Sequence, residues 1–155
     1  ERLQESFATL RRQALVDEMT GLATRRGLLD AAGEWQPQPC TLILVGLDDF
    51  RSINDILGFA SGDQILRLIA QRLVRHCPPS ALVARVGGDE FAVLLRRPAS
   101  SEDLADLGCQ VLACLDNAGA LPGGDGIPIE RLAGLLRAAK NVFAGDLAGK
   151  TGWGY

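Results

Sequence analysis

Two glycines followed by two carboxylates, Gly87-Gly88-Asp89-Glu90, join the apolar runs ALVARV and FAVLL. Because glycine has no Cβ, it lets the backbone come close to a ligand, and consecutive backbone N–H groups in a tight turn can cradle a phosphate. Adjacent carboxylates supply the hard oxygen ligands that suit Mg²⁺. The four residues could therefore form a metal and phosphate site. They could equally be the solvated end of an ordinary β-hairpin, and alone they do not separate these interpretations.

The surrounding sequence predicts the strands and helices that must position this tip. The run TLILVGL (41–47) is aliphatic and β-branched, which predicts a buried strand, and the two runs around the tip predict a hairpin. Helices are predicted for residues 1–15, 25–35, 62–77, 100–119 and 129–149. A serine cap is expected at the start of the fourth helix, and residues 119–128 are expected to be a loop. This order predicts an α/β or α+β domain in which helices pack on one sheet.

An apolar stripe runs along the first predicted helix. It consists of Leu3, Phe7, Leu10 and Ala14. The spacing fits a heptad seam, but two heptads do not separate a coiled coil from a helix that packs on its own domain. We interpret residues 1–15 as a linker helix and residues 16–155 as one domain.

The composition narrows the classes of function. The chain has 155 residues, 47% of them hydrophobic, and a net charge of −3, which is ordinary for a soluble domain and disfavours nucleic-acid binding. The four cysteines lack C-x-x-C spacing and His76 is the only histidine, so reduced thiols are favoured over a zinc site. No apolar run approaches the roughly 20 residues of a membrane span, so we expect a cytoplasmic domain without membrane contact. Because the chain begins at Glu1, we expect a fragment of a longer protein, which could itself be membrane-anchored.

Three motifs in order resemble those of the GGDEF family, the diguanylate cyclase domains. The first, DEMTGLATRRGLL (17–29), is similar to the family's D-x-L-T-G-L-x-N-R-R, with Thr24 in the Asn slot. The second, LDDFRSINDILGFASGDQIL (47–66), is similar to D-I-D-x-F-K-x-I-N-D-x-x-G-H-x-x-G-D-x-x-L. The third is the tip itself, RVGGDEFAVLL. Three ordered motifs over residues 17–95 make the resemblance specific.

The resemblance implies a fold, a reaction and roles for individual residues. The fold is a mixed, mostly antiparallel sheet wrapped by helices, as in the palm of nucleotide cyclases. The reaction condenses two GTP molecules into cyclic di-GMP in a homodimer, with Mg²⁺ or Mn²⁺ as the cofactor. The implied catalytic and metal-binding residues are Asp89 and Glu90. The implied nucleotide-binding residues are Asn54, Asp63, Gly87, Gly88 and Arg51, of which Asn54 and Asp63 would read guanine.

Simpler structural roles remain open for several of these polar residues. Asn54 could mark a helix start, and Asp63 could be the N-cap of the helix that follows it. A guanine contact is favoured for both, since an amide and a carboxylate can pair with the N–H and oxygen groups of the guanine edge. For Asp17 and Arg25 we favour a purely structural ion pair.

The chain departs from the family pattern at sites that matter for catalysis. Gly46 occupies the slot of the main metal-binding aspartate and offers only backbone oxygen. The best match to the family's C-terminal helical motif, AGDLAGKTGWG (144–154), puts Gly149 and Trp153 in the slots of its phosphate-binding lysine and arginine. No equivalent of the family's S-I-G strand is apparent before the last helix.

Two hypotheses follow from these departures. The first is an impaired GGDEF domain that binds GTP weakly or not at all. Such a domain would act as a regulatory or dimerising module for an EAL phosphodiesterase domain in the same protein, with residues 1–15 as the signalling helix. The alternative is an active diguanylate cyclase, which the intact tip favours.

Overall fold

A computed structural model describes residues 2–47 and 50–98, residues 100, 102–103, 106, 108–110 and 113, and the backbone of residues 141–146. The elements in chain order are α1 (Arg2–Leu15), β1 (Ala23–Thr24), α2 (Arg25–Trp35), β2 (Thr41–Gly46), α3 (Phe50–Leu57), α4 (Phe59–His76), β3 (Leu82–Arg85), β4 (Glu90–Leu95) and β5 (Asn141–Asp146). The strands form one sheet in the order β1-β3-β4-β2-β5. The β1–β3 pair is parallel and the other pairs are antiparallel. This mixed sheet with packed helices confirms the predicted fold class.

The sheet separates two apolar clusters, because successive side chains of a strand point to opposite faces. On one face, Ile43 and Val45 of β2 pack with Ile69 of α4. On the other face, Leu42 of β2 packs with Leu28 of α2. The prediction that β2 is a buried strand is therefore confirmed, and its register against β4 is fixed from both faces.

The chain between β2 and β3 forms two helices where the sequence predicted one. α4 begins at Phe59 rather than at residue 62, and α3, which the sequence analysis missed, precedes it. Gly58 separates them with a φ of 86°, a backbone conformation that favours glycine, and it is the N-cap of α4. The structural roles suggested for Asn54 and Asp63 were consequently wrong. Neither residue starts or caps a helix, since Asn54 lies inside α3 and Asp63 lies inside α4.

The prediction of a helix over residues 129–149 was wrong for residues 141–146, which are the described part of that range. Residues 141–146 form β5, which pairs with the free edge of β2. The apolar spacing was compatible with a helix, but pairing satisfies the backbone groups of a strand edge, and such tertiary contacts override weak local patterns. The alignment of the family's helical motif to AGDLAGKTGWG assumed a helix at residue 144, so the slots assigned to Gly149 and Trp153 lose that support. Both residues, and the predicted loop 119–128, lie outside the described residues.

A serine cap is present where the fourth helix was predicted to begin. Ser100 Oγ accepts a hydrogen bond from the Asp103 backbone N–H at 3.1 Å. Asp103 Oδ2 accepts bonds from the Ser100 backbone N–H at 3.1 Å and from its hydroxyl at 2.9 Å. These bonds favour the ionised carboxylate and lower the pKa of Asp103. The capping prediction is therefore confirmed.

The stripe on α1 is not covered by the described part of the domain. The helix has no buried residue, and Leu3, Phe7 and Leu10 are 76%, 70% and 62% exposed. The alternative in which α1 packs this stripe on its own domain was therefore wrong for the described residues.

The C-terminal end of α1 is held closely against the start of α2. Thr24 Oγ1 donates to the Ala14 carbonyl at 2.6 Å and accepts from the Gly27 N–H at 3.2 Å. A Cβ at Gly27 would lie 2.6 Å from the Leu15 carbonyl oxygen, which is a backbone atom and cannot rotate away. The absence of a side chain at Gly27 therefore permits this junction.

Gly27→Ala is expected to destabilise the protein by about 1–2 kcal/mol, because the methyl group overpacks a backbone contact. Thermal unfolding measures the effect. Gly33→Ala is the matched control, since it lies in the same helix with no neighbouring atom within 4 Å of its Cβ position. This control should raise stability by about 0.5–1 kcal/mol. Equal effects of the two substitutions would show that the junction is not tight.

Candidate functional site

The turn between β3 and β4 closes on a single backbone carbonyl. The Glu90 carbonyl accepts hydrogen bonds from the N–H groups of Val86 at 2.9 Å and of Gly87 at 3.3 Å. The Gly87 N–H is thus already used within the turn. The Gly88 N–H makes no hydrogen bond with another of the described residues, and a Cβ position on Gly88 has no neighbour within 4 Å. Of the two glycines, Gly88 is the one with a backbone open to a ligand.

A cleft of about 480 Å³ lies between this turn and the helices α3 and α4. It is lined by Phe50, Arg51, Asn54, Asp55, Phe59, Asp63, Leu66, Arg85, Gly88 and Asp89. Five of the residues predicted at the site, Arg51, Asn54, Asp63, Gly88 and Asp89, are therefore brought together. Gly87 and Glu90, which were predicted to join them, do not line the cleft.

Buried apolar residues on the inner faces of α3 and α4 orient the polar ones toward the cleft. Phe50 and Ile53 are three residues apart and anchor α3 in the core. Asn54 lies one turn after Phe50 and directly after Ile53, and it is half-buried. Ile65 and Leu66 anchor α4 in the same cluster and leave Asp63 half-buried. The amide and the carboxylate thus project into one cleft from two helices.

The two tip carboxylates diverge. Asp89 lines the cleft, whereas Glu90 is the first residue of β4, and the Cβ position of Gly87 is 2.9 Å from its Oε2. Glu90 is directly opposite Gly46 in the β2–β4 register, so its side chain shares a sheet face with position 46. The backbone N–H of Leu47 donates to the Asp89 carbonyl at 3.1 Å, which ties the end of β2 to the tip.

The described residues fit a Mg²⁺ site only in part. No group of three or more His, Cys, Asp or Glu side chains is arranged to hold a metal ion among the residues that the structure describes. Asp48 and Asp49 lie outside those residues. At position 46 a side chain would have room, since no atom lies within 4 Å of the Cβ position. The cross-strand partner of Glu90 is therefore an open space rather than a second carboxylate.

Arg85, which the sequence analysis did not single out, connects the tip to the turn before β1. Its Nη1 lies 3.3 Å from Asp17 Oδ2, and its Nη2 donates to the Gly88 carbonyl at 2.8 Å. The predicted partner of Asp17 was Arg25, and this prediction was wrong. The parallel pairing of Thr24 with Arg85 brings β3 beside the Asp17 turn, whereas Arg25 is exposed at the start of α2.

The Asp17 carboxylate is held in its charged form by these contacts. Partial burial by itself raises the pKa of Asp17, but hydrogen bonds from the Thr20 hydroxyl and backbone N–H, at 2.6 Å and 3.0 Å, oppose it. The charge of Arg85 acts in the same direction, and the net pKa is lowered from the ordinary value of 3.8. Asp17 is therefore an anionic anchor for Arg85 at neutral pH.

The family model for "Diguanylate cyclase, GGDEF domain" matches residues 14–119. The chain belongs to the GGDEF family. The match includes both helices of the cleft, the tip and the Asp17 turn. Domains of this family act in cyclic di-GMP signalling, bind GTP and cyclic di-GMP, and in their cyclases generally use Mg²⁺ or Mn²⁺.

Individual proteins similar to this GGDEF domain include proteins named as diguanylate cyclases. It is 40% identical over 122 residues to diguanylate cyclase TpbB of Pseudomonas aeruginosa, covering 74% of this chain and 28% of TpbB. It resembles the crystal structure of P. aeruginosa diguanylate cyclase SiaD bound to its activator SiaC, with a TM-score of 0.69 and 24% identity over 97% of this chain and 56% of that one. The S helix-GGDEF-EAL structure of Vibrio cholerae LapD gives a TM-score of 0.65 and 18% identity, over 75% and 29% of the two chains. Both structural matches establish the fold alone.

This GGDEF domain spans only part of its curated relatives. It spans 28% of TpbB and 16% of an uncharacterised mycobacterial relative. Among the described residues, no helix is both long and apolar enough to cross a membrane.

Some residues of the cleft were missed by the sequence reasoning although their signals were present. Phe50 and Phe59 line the cleft, and both lie in the second motif. Phe59 stands where that motif has histidine, and its side chain is 75% exposed. Arg85 is the first residue of the RVGGDEF segment. In each case the motif marked the position, but only the pairing of helices and strands identified what the side chain contacts.

Proposed function

We propose that this GGDEF domain binds GTP weakly, turns it over poorly, and acts as a regulatory or dimerising module in cyclic di-GMP signalling. The observation that carries the proposal is the register of β2 and β4, in which Gly46 faces Glu90. The cleft retains groups suited to a guanine nucleotide, while the sheet position that should add a metal-binding carboxylate has none.

The cleft is suited to a guanine base. Its volume of about 480 Å³ lies in the range of small-molecule sites. The Asp63 carboxylate can accept hydrogen bonds from two guanine N–H groups, and the Asn54 amide can both donate and accept. The rings of Phe50 and Phe59 offer apolar surface for the base. These features support nucleotide binding at this site.

The phosphate side of the same cleft has fewer of the groups that a metal–nucleotide complex needs. Arg51 and the open backbone of Gly88 can interact with phosphate oxygens, and Asp89 is the one tip carboxylate beside them. Mg²⁺ demands near-octahedral geometry and depends on carboxylate ligands together with the substrate phosphates. The loss of a carboxylate at position 46 should therefore weaken binding of the metal–nucleotide complex, and with it the activity.

A dimer and a neighbouring domain fit the same proposal. The uncovered stripe of Leu3, Phe7 and Leu10 is suited to pair with α1 of a second copy. LapD combines an S helix, a GGDEF domain and an EAL domain in one chain. An EAL phosphodiesterase domain in the same parent protein, controlled in the cytoplasm through α1, is the partner we favour.

An active diguanylate cyclase is the alternative. The tip is complete, and Asn54, Asp63 and Asp89 lie in one cleft. These features favour catalysis if other groups supply the metal ligands.

Incubation of the purified protein with GTP and either Mg²⁺ or Mn²⁺, followed by chromatography for cyclic di-GMP, tests the proposal. We expect little or no product, and calorimetric titration should show weak binding of GTP. Asn54→Ala should abolish this binding. ATP, which differs from GTP only in its base, is the control nucleotide. Robust cyclic di-GMP formation would overturn impairment and select the active alternative. No heat and no thermal shift at millimolar GTP would leave only the dimerising role.

A further inference from the structure

Gly62 lies in α4 at the point where this helix meets α3. A Cβ at this glycine would overlap with Oδ1 of Asn54, and it would lie 3.0 Å from Cγ of the same amide. It would also lie 3.3 Å from Cζ of Phe50. The Asn54 side chain therefore occupies the volume that any other residue at position 62 would fill.

The backbone of Gly62 gives no other reason for glycine. Only Gly21 and Gly58 have a positive φ among the described glycines, so position 62 does not need glycine for its conformation. Glycine inside a helix costs about 1 kcal/mol relative to alanine. Space for the Asn54 amide is the explanation that the neighbouring atoms support.

We propose that Gly62 is a positioning residue for guanine recognition, which sets where the Asn54 amide sits in the cleft. This inference rests on the proposed function, since it assigns Asn54 and Asp63 to the base. Asp63 follows Gly62 directly in α4, so the close contact at Gly62 fixes the separation between the two groups. Any side chain at position 62 changes that separation.

The direction in which the amide would yield follows from burial. Phe50 is only 7% exposed and belongs to the core, so its ring has little freedom to move. Asn54 is half-buried and borders the cleft. A methyl group at position 62 would therefore push the amide into the cleft, away from a geometry that pairs with a guanine edge.

Gly62→Ala is expected to lower GTP affinity about tenfold or more, as for loss of a well-placed hydrogen-bonding group. The weaker affinity for ATP should change little, so the ratio of the GTP and ATP dissociation constants falls. Calorimetric titration with each nucleotide in Mg²⁺ measures both. Gly33→Ala, a glycine replaced in helix α2 with open space around it, is the control and should leave the ratio unchanged.

A double-mutant cycle with Asn54→Ala, measured by thermal unfolding without nucleotide, tests the packing of Gly62 against Asn54. In the parent chain the methyl and the amide compete for one volume, so Gly62→Ala should raise Tm less than helix propensity alone dictates. In the Asn54→Ala background the same change should raise Tm by about 1–4 °C, as helix propensity dictates once the space is free. This dependence on Asn54 is not expected of a residue that acts only through the helix backbone.

The outcomes separate failure of this inference from failure of the proposed function. Additive Tm effects of the two substitutions, or a Gly62→Ala protein with unchanged GTP-to-ATP selectivity, would overturn the positioning role while GTP binding stands. A parent chain that binds no GTP would overturn the proposed function, and with it the role of Gly62 in guanine recognition, whatever the double-mutant cycle gives.

Discussion

Gly46→Asp is expected to raise the Mg²⁺-dependent affinity for GTP about tenfold or more, because it supplies a hard anionic ligand that the site lacks. The register places the new carboxylate on the same sheet face as Glu90, at the end of β2 next to the tip. The substitution should be sterically tolerated, since no atom lies within 4 Å of the Cβ position. Calorimetric titration of GTP with and without Mg²⁺ measures the gain.

The thermal stability of the Gly46→Asp protein without nucleotide should also depend on Mg²⁺. Two carboxylates directly opposite each other in a sheet repel, so Gly46→Asp should lower Tm slightly in the absence of metal. Mg²⁺ should reverse this loss, because a divalent cation binds the folded pair and stabilises it by mass action. Differential scanning calorimetry in EDTA and in Mg²⁺ reveals both effects without nucleotide.

Gly46→Asn is the matched control, since it has the shape of aspartate without the charge. It should show neither the metal-dependent gain in GTP affinity nor the metal-dependent rise in Tm. Equal gains for Asp and Asn, or a gain that persists in EDTA, would mean that position 46 is not a metal-ligand position.

The sequence predicted the parts of the fold in which local pattern and tertiary packing agree. β2 and the hairpin are continuous apolar runs bounded by turn residues, and both are buried on two faces of the sheet. α3 was missed because it is short and is separated from α4 only by Gly58, whose positive φ does not show in an apolar pattern. β5 was missed because its pairing with β2 depends on an edge that is remote in sequence.

The residues that line the candidate cleft were predicted only in part, and their geometry was not predicted. The motifs named Asn54, Asp63 and Asp89, which line one cleft. They also suggested Glu90 as the companion of Asp89, but Asp89 lies in the turn and lines the cleft, whereas Glu90 is the first residue of β4 and does not line it. Sequence motifs record which residue types matter, whereas the side of the sheet that each one faces follows from strand register.

Arg85→Met is expected to destabilise the protein by about 2 kcal/mol, or roughly 4–8 °C in Tm, because it leaves a partly buried carboxylate without its cation. The side chains of Arg85 and Asp17 are only 16% and 24% exposed, so water replaces the lost contacts incompletely. The Gly88 carbonyl loses its donor as well. Thermal unfolding measures the loss, and amide hydrogen exchange of the tip should become faster.

The pH dependence of this effect has a definite sign. The pKa of Asp17 is lowered in the folded protein, so its ionised contacts stabilise the fold above the ordinary value of 3.8 and are lost as the pH falls through the lowered value. The difference in Tm between the parent and Arg85→Met should therefore be full at neutral pH and shrink at acid pH. Arg25→Met is the control, because Arg25 is exposed on α2, and its effect should stay within about 0.5 kcal/mol. A larger effect of Arg25→Met than of Arg85→Met, or a difference independent of pH, would contradict the Asp17–Arg85 link as the anchor of the tip.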